Sequence, residues 1–113
     1  MGSNGDLYKG QMEKLLFHGT GDLTTDSYRY TGQFENGNRH GNGKVGYFDS
    51  HHYLGQFVNN ERHGQGIFFW STGNKYKGDW SFGKMDGEGK FYWTNGEMYF
   101  GKFKDGKRHG SGV

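Results

Sequence analysis

The chain has 113 residues, no cysteine and a formal net charge of +2 at pH 7. This length fits one domain, the absence of cysteine excludes disulfides and thiolate metal sites, and the small charge gives no reason to expect a nucleic-acid partner. Only 30% of the residues are hydrophobic but 19% are aromatic, so we expect a few large rings to form the core.

A tyrosine recurs every 23 residues from Tyr30 onwards. A glycine follows two positions later, an aromatic residue two positions after that, and then a pair of glycines separated by one residue. A period of this length predicts a stacked repeat array in which each unit contacts mainly its neighbours. The columns are Tyr30, Tyr53, Tyr76 and Tyr99; Gly32, Gly55, Gly78 and Gly101; Phe34, Phe57, Trp80 and Phe103; and Gly41/Gly43, Gly64/Gly66, Gly87/Gly89 and Gly110/Gly112.

We predict one array over residues 1–113, with units at 8–29, 30–52, 53–75, 76–98 and a partial unit at 99–113. The first unit departs most from the pattern, as terminal units of repeat arrays do. Met12 takes the place of the aromatic residue there, and Leu15 takes the place of a turn glycine. Asn60 replaces the same glycine in the third unit, and asparagine readily adopts glycine's left-handed backbone conformation.

Each unit is predicted to be a β-hairpin. In the fourth unit alternate residues from Tyr76 to Trp80 share one face, the chain turns at Gly83, and alternate residues from Gly89 to Trp93 return on that face. The predicted fold is therefore all-β, a single elongated, twisted antiparallel sheet of stacked hairpins. Two strands per unit give a ribbon ~50 Å long. Glycines in strands allow close approach, so we expect each ring to lie over glycines of a neighbouring strand.

The pattern Tyr-x-Gly-x-aromatic, followed by Gly-x-x-His-Gly-x-Gly, resembles the MORN (membrane occupation and recognition nexus) repeat. Tyr30–Gly43 shows it almost residue for residue, and the resemblance covers Tyr8–Gly112. It implies roles in cytoskeletal, flagellar or membrane-proximal assemblies, protein partners, self-association, and attachment to enzymes in longer chains. We expect a cytoplasmic protein associated with the cytoskeleton or with membranes.

Nothing in the sequence resembles a catalytic site, because no acid–base pair or nucleophile stands apart from the repeats. The segment Gly41–Gly46 matches the glycine pattern of dinucleotide sites, but no helix follows it, as that fingerprint requires. We therefore expect neither enzymatic activity nor a cofactor.

Histidines also form a column, at His18, His40, His63 and His109. Neighbours in this column are expected ~10 Å apart, too far to share a zinc ion. We interpret them as structural and expect no metal. The pair His51-His52 breaks the repeat and is interpreted as a solvated loop pair, with a metal bridging two molecules as the alternative.

Two binding functions are open. In the first, the array is a scaffold module that binds a protein segment or another copy through an aromatic groove. The groove residues are Tyr30, Phe34, Tyr53, Phe57, Trp70, Tyr76, Trp80, Trp93, Tyr99 and Phe103. In the second, basic residues recruit the module to anionic phospholipid. The lipid candidates are Arg39, Arg62, Lys102, Lys104, Lys107 and Arg108.

Three further points stay open. Three arginines occupy equivalent positions of their units and form a column, Arg39, Arg62 and Arg108. This arginine column is also interpreted as a solvated rim that covers aromatic faces. Leu54, Phe69, Tyr92 and Phe100 fall on the face opposite the tyrosines, either as a partner surface or as scattered exposed hydrophobic residues. The fifth unit stops at Val113 within its return strand, so we expect a dimer, a longer array or a partner at this end.

Overall fold

A computed structural model describes residues 6–14 and 16–112, and the side chains of 6–14 and 16–110. Every regular element in these ranges is a strand, and no helix in them is long and apolar enough to cross a membrane. The strands are β1 (Leu7–Glu13), β2 (Leu16–Thr24), β3 (Tyr28–Glu35), β4 (Asn38–Tyr47), β5 (His52–Val58), β6 (Glu61–Phe69), β7 (Lys75–Ser81), β8 (Lys84–Tyr92), β9 (Met98–Lys104) and β10 (Lys107–Gly112).

All ten strands form one antiparallel sheet in chain order, so each strand pairs with the strands before and after it in the sequence. The molecule measures 48 × 23 × 18 Å, as the predicted ribbon requires. The predicted fold class is therefore confirmed. Val113 and Leu15 lie outside the described residues, so the structure does not test the expectations for these two positions.

Two-residue turns join β3 to β4, β5 to β6, β7 to β8 and β9 to β10, and both residues of each of these four turns have positive φ. Asn36 and Gly37 have φ of 51° and 85°, the signature of a type I′ turn, whose twist matches that of the strands. Asn60 has φ of 74°, which confirms the left-handed conformation predicted for it. The other such turns are Asn59-Asn60, Phe82-Gly83 and Asp105-Gly106.

The core is built from rings that lie on glycines. A Cβ built on Gly43 would come within 2.5 Å of Tyr30 Cζ, so only glycine leaves room for this ring. The Tyr30 hydroxyl then donates to the carbonyl oxygen of Gln33 at 2.7 Å. Tyr53 and Tyr76 make the same contacts one and two units later, which confirms the predicted packing of rings over glycines.

Neighbouring units are joined by perpendicular ring contacts. Tyr30 lies 5.0 Å from Phe34 of its own unit and 5.3 Å from Phe57 of the next, with interplanar angles of 80° and 89°. Tyr53 contacts Phe57 and Trp80 in the same way. Edge-to-face geometry of this kind is favourable for aromatic pairs. The core is therefore one continuous row of rings along the ribbon.

In each unit a β-bulge interrupts the pairing of the two strands. It comes directly after the glycine that lies two positions beyond the tyrosine. One residue of β3, Gln33, lies between Gly32 and Phe34, whereas three residues of β4 lie between their partners Gly43 and Arg39, so β4 carries two extra residues. The Gln33 side-chain oxygen accepts the Asn42 backbone N–H at 2.8 Å. This polar column was not predicted from the sequence. Its other members are Gln11, Gln56 and Asp79, which accept from Thr20, Gln65 and Glu88.

Candidate interaction surfaces

Most of the predicted groove is closed by the protein's own packing. Seven of its ten residues are at most 5% exposed, because each tyrosine is covered by the ring of the next unit. The open part of the predicted groove is therefore limited to Trp70, Trp93 and Tyr99, which are partly exposed. The seven buried residues are Tyr30, Phe34, Tyr53, Phe57, Tyr76, Trp80 and Phe103.

Four of the partly exposed rings lie together near the C-terminal end and form one aromatic patch, which we define as Trp70, Phe91, Trp93 and Tyr99. Trp70 lies 5.1 Å from Phe91, and Phe91 lies 4.7 Å from Trp93. The guanidinium of Arg108 is 5.6 Å from the rings of both Trp93 and Tyr99. A depression of 390 Å³ beside the patch has walls that include Met85, Phe91, Trp93 and Arg108. The geometry suits contact with apolar or aromatic side chains and offers no catalytic group.

The arginine column mainly covers rings and turns. Arg39 donates to the Asn60 carbonyl at 2.9 Å, and its guanidinium lies 4.8 Å from the centre of the Tyr28 ring. Arg62 donates to the Gly83 carbonyl at 3.1 Å and lies 4.8 Å from the Trp80 ring. Both arginines thus join one unit to the next. The other lipid candidates are exposed at the C-terminal end: Lys102, Lys104, Lys107 and Arg108.

The histidines sit beside the hairpin turns. His63 Nδ1 accepts the Phe82 N–H at 3.2 Å, and His40 Nε2 lies 3.7 Å from Glu35 Oε1. In the described part of the chain, no three or more His, Asp or Glu residues are grouped so that they could hold a metal ion. His51 is less solvated than expected, because its Nδ1 accepts the Ser71 N–H at 2.8 Å.

The other face of the sheet carries the apolar residues noted in the sequence. The strand registers place Leu54, Ile67 and Phe100 in one row that crosses the strands, with lysines between them. Phe69 and Tyr92 lie in the adjacent row. Leu54 is 51% and Phe69 38% exposed, so this face is neither purely polar nor covered.

The pKa values of three buried tyrosines are raised because these side chains are packed in the core. Burial raises the pKa of Tyr30 to about 12, while the charge of Arg39 and the hydrogen bond to the Gln33 backbone act in the opposite direction. Burial likewise raises the pKa of Tyr53 and of Tyr76. Their hydroxyls donate to backbone carbonyls, so they hold protons for structural reasons and are not poised for proton transfer.

The MORN repeat family model matches residues 30–50, 53–75, 76–98 and 99–113. No curated protein matches the chain. The first hairpin lies outside the matched segments, yet its Tyr8 ring lies on Gly21 in the same way. MORN repeats are generally non-catalytic modules for protein or membrane interaction, and proteins that contain them are often membrane-associated. With four consecutive matched segments that coincide with hairpins of one sheet, this chain belongs to the MORN repeat family.

Proposed function

We propose that the protein is a non-catalytic scaffold module that binds a segment of another protein, or another copy of itself, through the aromatic patch. The observation that carries this proposal is the partial exposure of these four neighbouring rings, with Arg108 against two of them, beside a row of buried rings. Clusters of Trp, Tyr and Arg are where protein interfaces concentrate their binding energy. The patch combines all three types, since Arg108 lies against Trp93 and Tyr99.

Comparison between units supports the same surface. Arg62 is enclosed by Trp80, a ring of the following unit, and by Phe68. Arg108 occupies the equivalent position 46 residues later but remains exposed, with only Trp93 and Tyr99 within range among the described residues. An aromatic or aliphatic side chain from a partner, another copy or a following repeat fits the position that Trp80 fills against Arg62.

The test is recovery of partners from a native cell extract by the immobilised protein and by Trp93→Ala. Phe48→Ala is the matched control, because Phe48 is an exposed aromatic residue outside the patch. We expect the wild type and the control to recover the same partner at raised salt, since apolar contacts are not screened, and Trp93→Ala to lose it. Equal recovery by Trp93→Ala contradicts the proposal.

The alternative is recruitment to anionic phospholipid through the basic C-terminal end. Lys102, Lys104, Lys107 and Arg108 are exposed there, with Asp105 as the acidic residue among them. Each cation contributes ~1 kcal/mol near a charged membrane surface. Either mode fits a cytoplasmic protein held at cytoskeletal or membrane assemblies, which is the location we propose.

A further inference from the structure

The face opposite the aromatic patch carries lysine charge that the protein does not neutralise. Lys77 and Lys90 are direct partners in the register between β7 and β8, and both are exposed. Like charges placed directly opposite each other destabilise a sheet. No lysine nitrogen in the described ranges lies within 4.0 Å of a carboxylate oxygen. Lys77 and Lys90 therefore repel each other, and neither has a carboxylate oxygen of the described residues within 4.0 Å.

The carboxylates nearest to this pair on the same face are those of Asp79 and Glu88. Asp79 accepts the Glu88 N–H at 3.0 Å and also bonds the side-chain amide of Gln65. Glu88 lies opposite Lys102 in the register between β8 and β9. Neither acid is a direct cross-strand partner of the opposed lysines.

The same face is neutralised at the other end of the ribbon. Asp22 lies in the row that leads to Lys77 and Lys90, and its carboxylate accepts from the Thr31 hydroxyl at 2.6 Å. Arg29 lies 3.4 Å from the same carboxylate. The repeat geometry thus allows charge compensation on this face, and the strands β7 and β8 lack it at the corresponding row.

Apolar side chains flank these two lysines in the same row. Ile67 is the register partner of Lys77, and Phe100 is the register partner of Lys90, with the lysine nitrogen 4.4 Å from the ring centre. Phe69, partly exposed, lies opposite Lys75. A depression of 560 Å³ lies on this part of the sheet, with Lys77, Lys90 and Phe100 in its walls. The surface therefore offers cations and apolar contacts side by side.

We propose that this lysine surface, defined as Ile67, Phe69, Lys75, Lys77, Lys90 and Phe100, binds an acidic amphipathic segment of a protein partner. Carboxylates of the segment lie against Lys77 and Lys90, where they remove the like-charge repulsion. Its apolar side chains cover Ile67, Phe69 and Phe100. Peptide segments recognised in this way combine charge complementarity with apolar anchors.

A peptide fits this surface better than a lipid bilayer. The carboxylates of Asp79 and Glu88 line the same depression as the two lysines. A sheet of anionic head groups would face these carboxylates as well as the lysines, whereas a folded or extended peptide can place its charges selectively. The surface is on the opposite side of the sheet from the aromatic patch, so this inference stands or fails independently of the proposed function.

The experiment selects short random peptides from a display library on the immobilised protein. Binding of the enriched peptides is then measured by fluorescence anisotropy against the wild type, Lys77→Glu/Lys90→Glu and Lys9→Glu/Lys14→Glu. The second variant is the matched control, because it makes the same change in net charge with exposed lysines at the other end of the sheet. Thermal melts check that both variants fold. Phosphatidylserine vesicles are tested with the same three proteins.

We expect enrichment of peptides that alternate acidic and apolar residues. Their affinity should fall at least about tenfold in Lys77→Glu/Lys90→Glu, and far less in the control, because close charge pairs across an interface are strongly coupled. The peptide interpretation is overturned if no acidic peptide is enriched, if the enriched peptides bind the charge-reversed variant equally well, or if Lys77 and Lys90 are needed for vesicles and not for peptides. A Trp93→Ala protein should bind the acidic peptides normally, which separates this surface from the aromatic patch.

Discussion

The Tyr53 ring lies flat against Gly66 of the neighbouring strand, so closely that a Cβ on this glycine would come within 2.5 Å of Tyr53 Cζ. The hydroxyl reaches past the glycine to the Gln56 carbonyl at 2.9 Å. One contact therefore fixes the ring, the bulged strand and the pairing of β5 with β6. Because the same relationship recurs in the first, second and fourth units, the stability of the array depends on it.

Replacing Gly66 with alanine should destabilise the protein by ~2 kcal/mol or more, because the added methyl group displaces the Tyr53 ring. Gly46→Ala is the control, since a Cβ there meets only His52 Cδ2, at 3.9 Å. Chemical unfolding measures both free energies. If the two variants are equally stable, the glycine column does not have the role assigned to it.

Gly64→Val should also destabilise the array by ~2 kcal/mol or more, for a different reason. Gly64 has φ of +95°, a region that a β-branched side chain adopts only under strain, and the new Cβ would also press on the Gln56 side chain. Melting temperatures that agree within a degree would refute this expectation.

Phe82→Asn should stabilise the protein. Phe82 has φ of 49° and is 65% exposed, so it holds a left-handed conformation that costs a bulky residue ~1–2 kcal/mol, whereas asparagine adopts it readily. Loss of the contact with the His63 ring, at 4.8 Å, offsets part of the gain. Thermal melts should show a higher midpoint for Phe82→Asn than for wild type, and a lower midpoint would contradict the strain argument.

Stability should fall in alkali. The unfolded tyrosines release protons near pH 10.0, while burial holds the pKa of Tyr30 at about 12 in the folded protein. Between these two pH values the folded state binds more protons than the unfolded state. The stability that the protonated Tyr30 hydroxyl contributes is therefore fully present below pH 10.0 and is lost as the pH rises through about 12. Unfolding free energies measured across this range should show the loss, with a shallower slope for Tyr30→Phe. A flat profile would contradict the burial of these hydroxyls.

Lipid binding, if the basic end provides it, should be weak and sensitive to salt. Reversal of Lys104, Lys107 and Arg108 to glutamate should abolish sedimentation with anionic liposomes at low salt while the melt is unchanged, because these residues are exposed. Tight, head-group-selective binding at physiological salt would instead place the lipid function above partner binding.

The periodic part of the fold could be read from the sequence because each column repeats one local requirement. Alternation from Tyr76 to Trp80 predicts a strand, and paired glycines predict the close approach of a ring. The bulge of β4 opposite Gln33 was missed because one exposed polar residue gives no hydrophobic signal, although the recurrence of Gln or Asp at this position was visible.

The candidate site was predicted less completely, for a three-dimensional reason. The alternating sequence pattern places Phe57 and Tyr30 on the same face of the sheet. Only the packing of one unit on the next shows that the two rings cover each other. Strand register likewise determines that Asp22 lies beside Arg29 and that Lys77 lies opposite Lys90. Composition and spacing do not determine such pairings.

The most direct test of the account is the solvent access of Trp93 when the partner is bound. Trp70→Phe/Trp80→Phe leaves Trp93 as the one tryptophan, and phenylalanine fills the Trp80 column in the second, third and fifth units. Acrylamide quenching is measured with and without the partner recovered from extract. Covering of the aromatic patch predicts that quenching of Trp93 falls sharply on binding. Unchanged quenching with the partner fully bound would show that the patch is not the binding surface.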